Sequence, residues 1–356
     1  MTTEGRKPIS TRRRRAAWAG VAAGLAAGML MTRCGRRRYD LRGRVVLITG
    51  GSRGLGMALA REFGRRGARL VIAARTLDEL ARAEATLRDE GLDVHAVQCD
   101  IRDATQAARA VEVAVQVTGR LDVLVNNAGV IQVTPLANAT PEDYADSLQT
   151  HFWGPLALVR ASVPHLRRAP GGARILNVSS IGGRLSVPHL TPYAVGKFAL
   201  TAYSEGLRAE LQRDGILVTT ATPSLVRTGS HLRARIRGQH EAEARWFGLG
   251  MTNPLTSLSA PRAAARLVEA TVIGRAHIAP DARARLGEIV HVLAPELTAA
   301  VMALVTRYAL PAPSAAASAG ILREAQDVGF GWVEPFLPHD AAVAHNQTDV
   351  RTPAPD

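Results

Sequence analysis

The chain has 356 residues, 47% of them apolar, enough for one large domain with a sizeable core. Its net charge of +13 suggests a nucleic-acid binder, but the charge is local: residues 1–44 hold 12 Lys/Arg against 2 acids, and residues 45–356 hold 32 against 29. Two distant cysteines, Cys34 and Cys99, give neither a disulfide framework nor a metal-ligand spacing, and fit a reducing compartment.

Residues 1–41 form a basic leader around an uncharged run, 16–32, with Arg12–Arg15 before it and Arg33 and Arg36–Arg38 after it. As a helix the run measures about 26 Å at ~1.5 Å per residue. That is the short limit for crossing a bilayer core of about 30 Å, and snorkelling arginines extend it. Gly20, Gly24 and Gly28 would permit close helix packing in lipid. A cleaved signal is the competing reading, since Arg12-Arg13 resembles a twin-arginine start. The Arg33-Cys34 end lacks a small-residue cleavage pattern, so a retained membrane anchor is preferred. An apolar centre argues against a nucleic-acid arm. Six Lys/Arg on each side leave orientation open under the positive-inside rule.

Beyond the leader, strands are predicted at 45–49, 69–74, 93–98, 122–125, 173–178 and 216–221, with a short one at 276–279. Helices are predicted at 54–66, 77–90, 103–118, 141–168 and 191–213. The alternation implies a doubly wound α/β fold, a parallel sheet with helices on both faces and a site at the carboxyl ends of the strands. The first strand leads into Gly50-Gly-Ser-Arg-Gly-Leu-Gly56, a glycine turn that lets the backbone approach a pyrophosphate at a helix N-terminus. The second ends at Arg75, where an acidic residue would bind a ribose 2′-hydroxyl; arginine suits a 2′-phosphate instead, and Arg53 adds a second cation.

The stretch Ser180–Lys197 holds Tyr193 and Lys197 four apart, on one face of a helix. A phenol titrates near pKa ~10, and a fixed ammonium beside it lowers that value toward useful acid–base chemistry. A hydroxyl from Ser180 would hold a substrate oxygen against the phenol.

Thr49-Gly50-Gly-Ser-Arg-Gly54-Leu-Gly56, Asp100, Asn126-Asn127-Ala128-Gly129, Ser180, and Tyr193 with Lys197 occur in one order and spacing. In these motifs, over roughly 42–280, the chain resembles the short-chain dehydrogenase/reductase family. The resemblance implies hydride transfer between NADP(H), preferred over NAD(H), and a carbonyl or alcohol. It implies catalysis by Ser180, Tyr193 and Lys197, with Lys197 also binding the nicotinamide ribose. It implies cofactor contacts from Gly50, Ser52, Arg53, Gly54, Leu55, Gly56, Arg75, Asp100, Ile101, Asn127, Ala128, Gly129, Pro223, Val226 and Thr228, besides Tyr193 and Lys197. Ser224 stands where the family usually has glycine. His151 stands where it commonly has the asparagine of a proton relay. If imidazole replaces that relay, activity should follow a pKa near ~6.5. A half-buried packing histidine is the equal alternative.

Past 280 the resemblance fades. In an amphipathic extension, 281–310, Leu297, Val301, Leu304, Val305 and Tyr308 line one helix face. That face would cover the cleft, pack a homodimer or rest on a bilayer, core packing being the first expectation. Residues 311–356, rich in Ala and Pro, read as partly disordered. The expectation is therefore a membrane-anchored NADP-dependent oxidoreductase with its catalytic domain in the cytoplasm. The alternative is a non-catalytic membrane protein that keeps the dinucleotide fold.

Overall fold

The computed structural model describes residues 38–312 and 319–321. The leader run 16–32 lies outside the described residues. The chain divides into two units, Met1–Tyr39 and Asp40–Asp356, and everything below concerns the second.

Strands β1 (Val45–Thr49), β2 (Arg69–Ala74), β3 (Val94–Gln98), β4 (Val123–Asn126), β5 (Ala173–Val178), β6 (Ile216–Ala221) and β7 (His277–Ile278) form a seven-stranded sheet. Its order is β7-β6-β5-β4-β1-β2-β3, and every pairing is parallel. β1, with sequence Val-Val-Leu-Ile-Thr, is buried at all positions, as a strand covered on both faces requires. Helices α1 (Gly54–Arg65), α2 (Leu77–Asp89), α3 (Ala104–Thr118), α4 (Pro141–Leu148), α5 (Gly154–Leu166) and α6 (Thr191–Leu211) follow the strands in chain order. The main core packs Leu47, Val71, Leu124, Ile175 and Val218 of the sheet against Ala107, Val111 and Leu158. Helix starts are specified locally. Asp103 accepts from the Thr105 and Gln106 amides at 2.8 and 3.2 Å, and Thr140 with Asp143 forms a capping box. The chain leaves β1 toward β2 on one side and later returns to β4 on the other, which opens a crevice above β1.

The helix predicted over 141–168 is interrupted. Gln149–Trp153 forms a wide π-turn between α4 and α5. Pro155, early in α5, has no N–H for the carbonyl four residues back, that of His151. The turn therefore opens where His151 enters the core.

Four helices went unseen in the sequence pattern or were seen incompletely. α7 (His240–Thr252) caps a second core of Val133, Ala234, Ile236, Ala244, Phe247 and Met251 over the carboxyl ends of the strands. α8 (Ala260–Val272) covers the sheet beside α1. The extension is two helices, α9 (Ala282–Leu293) and α10 (Pro295–Tyr308), bent by 118°. Core packing was the first expectation for the stripe in α10, but Leu297, Val301, Leu304 and Tyr308 are exposed and only Thr298 is buried. Residues Ala319–Ile321 of the tail pair antiparallel with Arg235–Arg237.

Candidate active site

The glycine turn is fixed by sterics. Gly50 and Gly54 take φ of +64° and +56°, left-handed values that favour glycine. A Cβ on Gly56 would lie 1.9 Å from the Gly50 carbonyl oxygen, so no other residue fits there. Asn127 donates through Nδ2 to the Thr49 and Gly50 carbonyls at 2.9 and 3.2 Å. The buried Thr49 hydroxyl accepts from the Asn127 and Ala128 amides at 3.1 and 3.2 Å. Thr228 packs its Cβ over Gly54 and donates to Ser230 Oγ at 2.8 Å. The turn is thus a rigid backbone cradle at the start of α1, the form in which helix N-termini bind phosphate.

This cradle opens into a cavity of about 590 Å³. Every proposed cofactor residue lines it: Gly50, Ser52, Arg53, Gly54, Leu55, Gly56, Arg75, Asp100, Ile101, Asn127, Ala128, Gly129, Pro223, Val226 and Thr228. Ser180, Tyr193, Lys197 and His151 line it as well. Residues 150 apart in the chain therefore share one space, and the donor set fits a dinucleotide.

The two cations expected for a 2′-phosphate differ. Arg75, 53% exposed, reaches the cavity rim with Asp100 4.0 Å away. Arg53 is already engaged: it donates to both oxygens of the buried Glu79 carboxylate at 2.7 and 2.9 Å. Arg233, from the far side of the cleft, donates to the same carboxylate at 2.8 Å. Glu79 and Arg233 carry no motif that a sequence scan would flag. Asp100 is clamped by Arg102, whose guanidinium and amide hydrogen bonds hold its carboxyl below the usual range against burial.

At the other end, a hydrogen bond with Ser180 works to lower the Tyr193 phenol, but burial dominates and raises it. Lys197 was expected to lower that pKa. Its Nζ instead lies 5.8 Å from the ring centroid and donates to the Val178 carbonyl at 2.9 Å. Burial pulls the ammonium itself down to about 7.

His151 corrects a second expectation. It is fully buried, and burial plus the nearby Lys197 hold its pKa well below the ordinary 6.5. Nε2 accepts from the Val130 amide at 3.2 Å, which places the ring proton on Nδ1, 3.2 Å from Ser147 Oγ. Both nitrogens are engaged, and the ring packs edge-on to Tyr193 with centroids 5.4 Å apart. The residue is neutral and does not titrate near 6.5. Gly196 makes this packing possible, because a Cβ there would come within 2.5 Å of Ser147 Oγ and 2.8 Å of His151 Nδ1.

A buried chain of amides and hydroxyls seats α6. Asn126 donates to Asn177 at 2.8 Å, Asn177 to Ser204 of α6 at 2.9 Å, and Ser204 pairs with Thr220 at 2.7 Å. Ser179 donates to the Lys197 carbonyl at 3.0 Å. The substrate side is apolar, lined by Val187, Leu190, Trp246, Phe247 and Met251. It is braced by Glu243, which takes His189 Nδ1 at 2.9 Å and Trp246 Nε1 at 2.6 Å. His189 holds a left-handed φ of +63° to do so.

The profile of the short chain dehydrogenase family matches residues 44–237. The chain belongs to that family. It is 36% identical over 205 residues to the bovine dehydrogenase/reductase SDR family member 7B, covering 56% of this chain and 63% of that one. It is 37% identical over 191 residues to 11-beta-hydroxysteroid dehydrogenase A of Sesamum indicum, covering 52% and 53%. With the pig dehydrogenase/reductase SDR family member 4 it shares 33% over 217 residues, covering 57% and 77%. The chain thus spans about half to two thirds of the length of the first two of these curated relatives. A short-chain dehydrogenase/reductase from Burkholderia phymatum, solved in complex with NAD, superposes with a TM-score of 0.65 at 25% identity, covering 73% of this chain and 96% of that one.

Proposed function

We propose that the protein moves a hydride between NADP(H) and a carbonyl or alcohol of a lipophilic substrate. The observation that carries this is the convergence of Ser180, Tyr193 and Lys197 on one cavity with the glycine cradle. When bound, the nicotinamide supplies or takes up the hydride. The Gly50–Gly56 backbone would hold the pyrophosphate, and Thr228 and Pro223, which line the same cavity, would face the nicotinamide end. Ser180 donates a hydrogen bond to the substrate oxygen. In reduction Tyr193 gives its phenolic proton to that oxygen; in oxidation it takes the proton back. Lys197, whose Nζ lies 5.8 Å from the Tyr193 ring centroid, would bind the ribose. His151 acts through Val130, whose amide it fixes, and is a positioning residue. The exposed Arg75 beside the cradle supports NADP over NAD. The apolar wall of Leu190, Trp246 and Met251 supports a lipophilic substrate. Residues 16–32 are read as a membrane anchor, supported by their arginine-flanked apolar run, with the catalytic domain on the cofactor-rich cytoplasmic side.

The test is NADPH oxidation by the purified protein with lipophilic ketones and aldehydes. Tyr193→Phe should lower kcat by about 10²–10⁴ while NADPH binding, read by fluorescence, stays intact. Near wild-type kcat in that variant would remove Tyr193 from the acid–base role.

A further inference from the structure

We infer that the outer face of the α9–α10 hairpin is a lipid-docking surface that seats the substrate side of the cleft on an anionic bilayer. The inference holds whether or not the protein turns over.

The inner side of α9 is tied to the active-site loops. Asp281 caps the helix by accepting from the Ala284 amide at 3.0 Å, and it accepts from Ser224 Oγ at 2.7 Å. The serine that replaces the usual glycine thus joins the Pro223 segment to α9. Glu288 reaches back to Thr222 and to His277. A Cβ on Gly287 would sit 3.7 Å from Ile181 and 3.9 Å from Leu185, in the segment that follows Ser180.

The outer side has no such partners among the described residues. Leu286 is 62% exposed, Val292 76%, Leu293 78% and Tyr308 73%, and Ile289, Leu297, Val301 and Leu304 are exposed with them. Clustered exposed apolar side chains on a soluble protein mark an interaction site more often than scattered single ones do. From Ile289 to Thr306 the sequence holds no Lys or Arg and one carboxylate, Glu296. Exposed arginines stand at both ends: Arg283 and Arg285 before, Arg307 after.

Among the described residues no single helix is long and apolar enough to cross a membrane. α10, with 14 residues, is about 21 Å long against a core of about 30 Å. A bent pair of this kind lies in the interface, apolar face down, with arginines at headgroup level. The rim decides the occupant. A twofold dimer needs a self-complementary patch, whereas the exposed charges at the ends of this face are Arg283, Arg285 and Arg307, with Asp281 buried and Glu288 turned inward to Thr222 and His277, and these cations suit anionic headgroups.

The test uses the full chain with Cys34→Ser, Cys99 being buried and slow to react. An environment-sensitive fluorophore is attached through Ile289→Cys, Val301→Cys or, as an exposed control on α2, Asp89→Cys. Each is mixed with phosphatidylcholine vesicles, with or without about a third phosphatidylglycerol, and with brominated lipid. The expected result is a blue shift and roughly twofold bromolipid quenching at 289 and 301, stronger with phosphatidylglycerol and weakened by salt, with no change at 89. If vesicles leave 289 and 301 unchanged, the surface does not dock. A blue shift without lipid that grows with protein concentration would assign the face to a second copy. One present without lipid at every dilution would assign it to another segment of this chain. Either overturns the inference.

Discussion

Lys197 offers the most direct physical test of the site. Its ammonium is buried beside a single carbonyl partner, and its pKa falls from 10.5 to about 7. The unfolded chain therefore holds the lysine proton between pH 7 and 10.5 while the folded one releases it. Stability must rise with pH across that window, because the unfolded state binds more protons there. At about 1.4 kcal/mol per pK unit, the whole shift corresponds to roughly 5 kcal/mol below pH 7 and to nothing above 10.5. Lys197→Met keeps the length and apolar stem and removes the charge. Cofactor-free Lys197→Met should therefore be more stable than wild type near neutral pH. The advantage should shrink by about 1.4 kcal/mol per pH unit between 7 and 10. His151 is neutral throughout, and the raised Tyr193 phenol, whose unfolded form ionises near pH ~10, is present in both proteins and cancels in the difference. Urea midpoints of both proteins, measured in parallel across this range, give the difference directly. A difference that does not vary with pH would refute the buried, depressed ammonium.

Four further outcomes are expected. His151→Asn should leave the positions of the kcat–pH limbs unchanged, because His151 stays neutral; a wild-type limb near 6.5 that the variant abolishes would restore the relay. The same variant should lose less stability below pH ~6.5, where the unfolded wild type protonates its histidine and the folded one does not, as acid unfolding midpoints will show. Gly196→Ala should destabilise by about 1–3 kcal/mol and lower kcat, since its Cβ must displace Ser147 and His151 by roughly an ångström; an unchanged Tm would mean that α4 and α6 separate freely. Arg75→Asp should shift the kcat/KM ratio toward NAD by about tenfold or more, each 1.4 kcal/mol being tenfold, and an unchanged ratio would make Arg75 a surface charge.

The sequence by itself determined the family, the parallel sheet and a set of positions that line one cavity. Strand runs such as Val45–Thr49 and glycines such as Gly56 are local signals, fixed by β-branched side chains and by a backbone that excludes Cβ. Ser180, Tyr193 and Lys197 were legible because one helix and one strand end dictate their spacing. The tertiary structure decided the electrostatics and the outer surface. A pKa depends on what surrounds a group, so the depressed Lys197, the neutral His151 and the raised Tyr193 follow from burial that no motif records. Arg53 looked free in sequence, yet its partner Glu79 lies 26 residues away and Arg233 comes from the opposite wall. The apolar stripe of α10 has the same period whether it faces a core or solvent. Only the tertiary structure shows that this stripe points outward, with Leu297, Val301, Leu304 and Tyr308 exposed, because periodicity identifies a face without naming what lies against it.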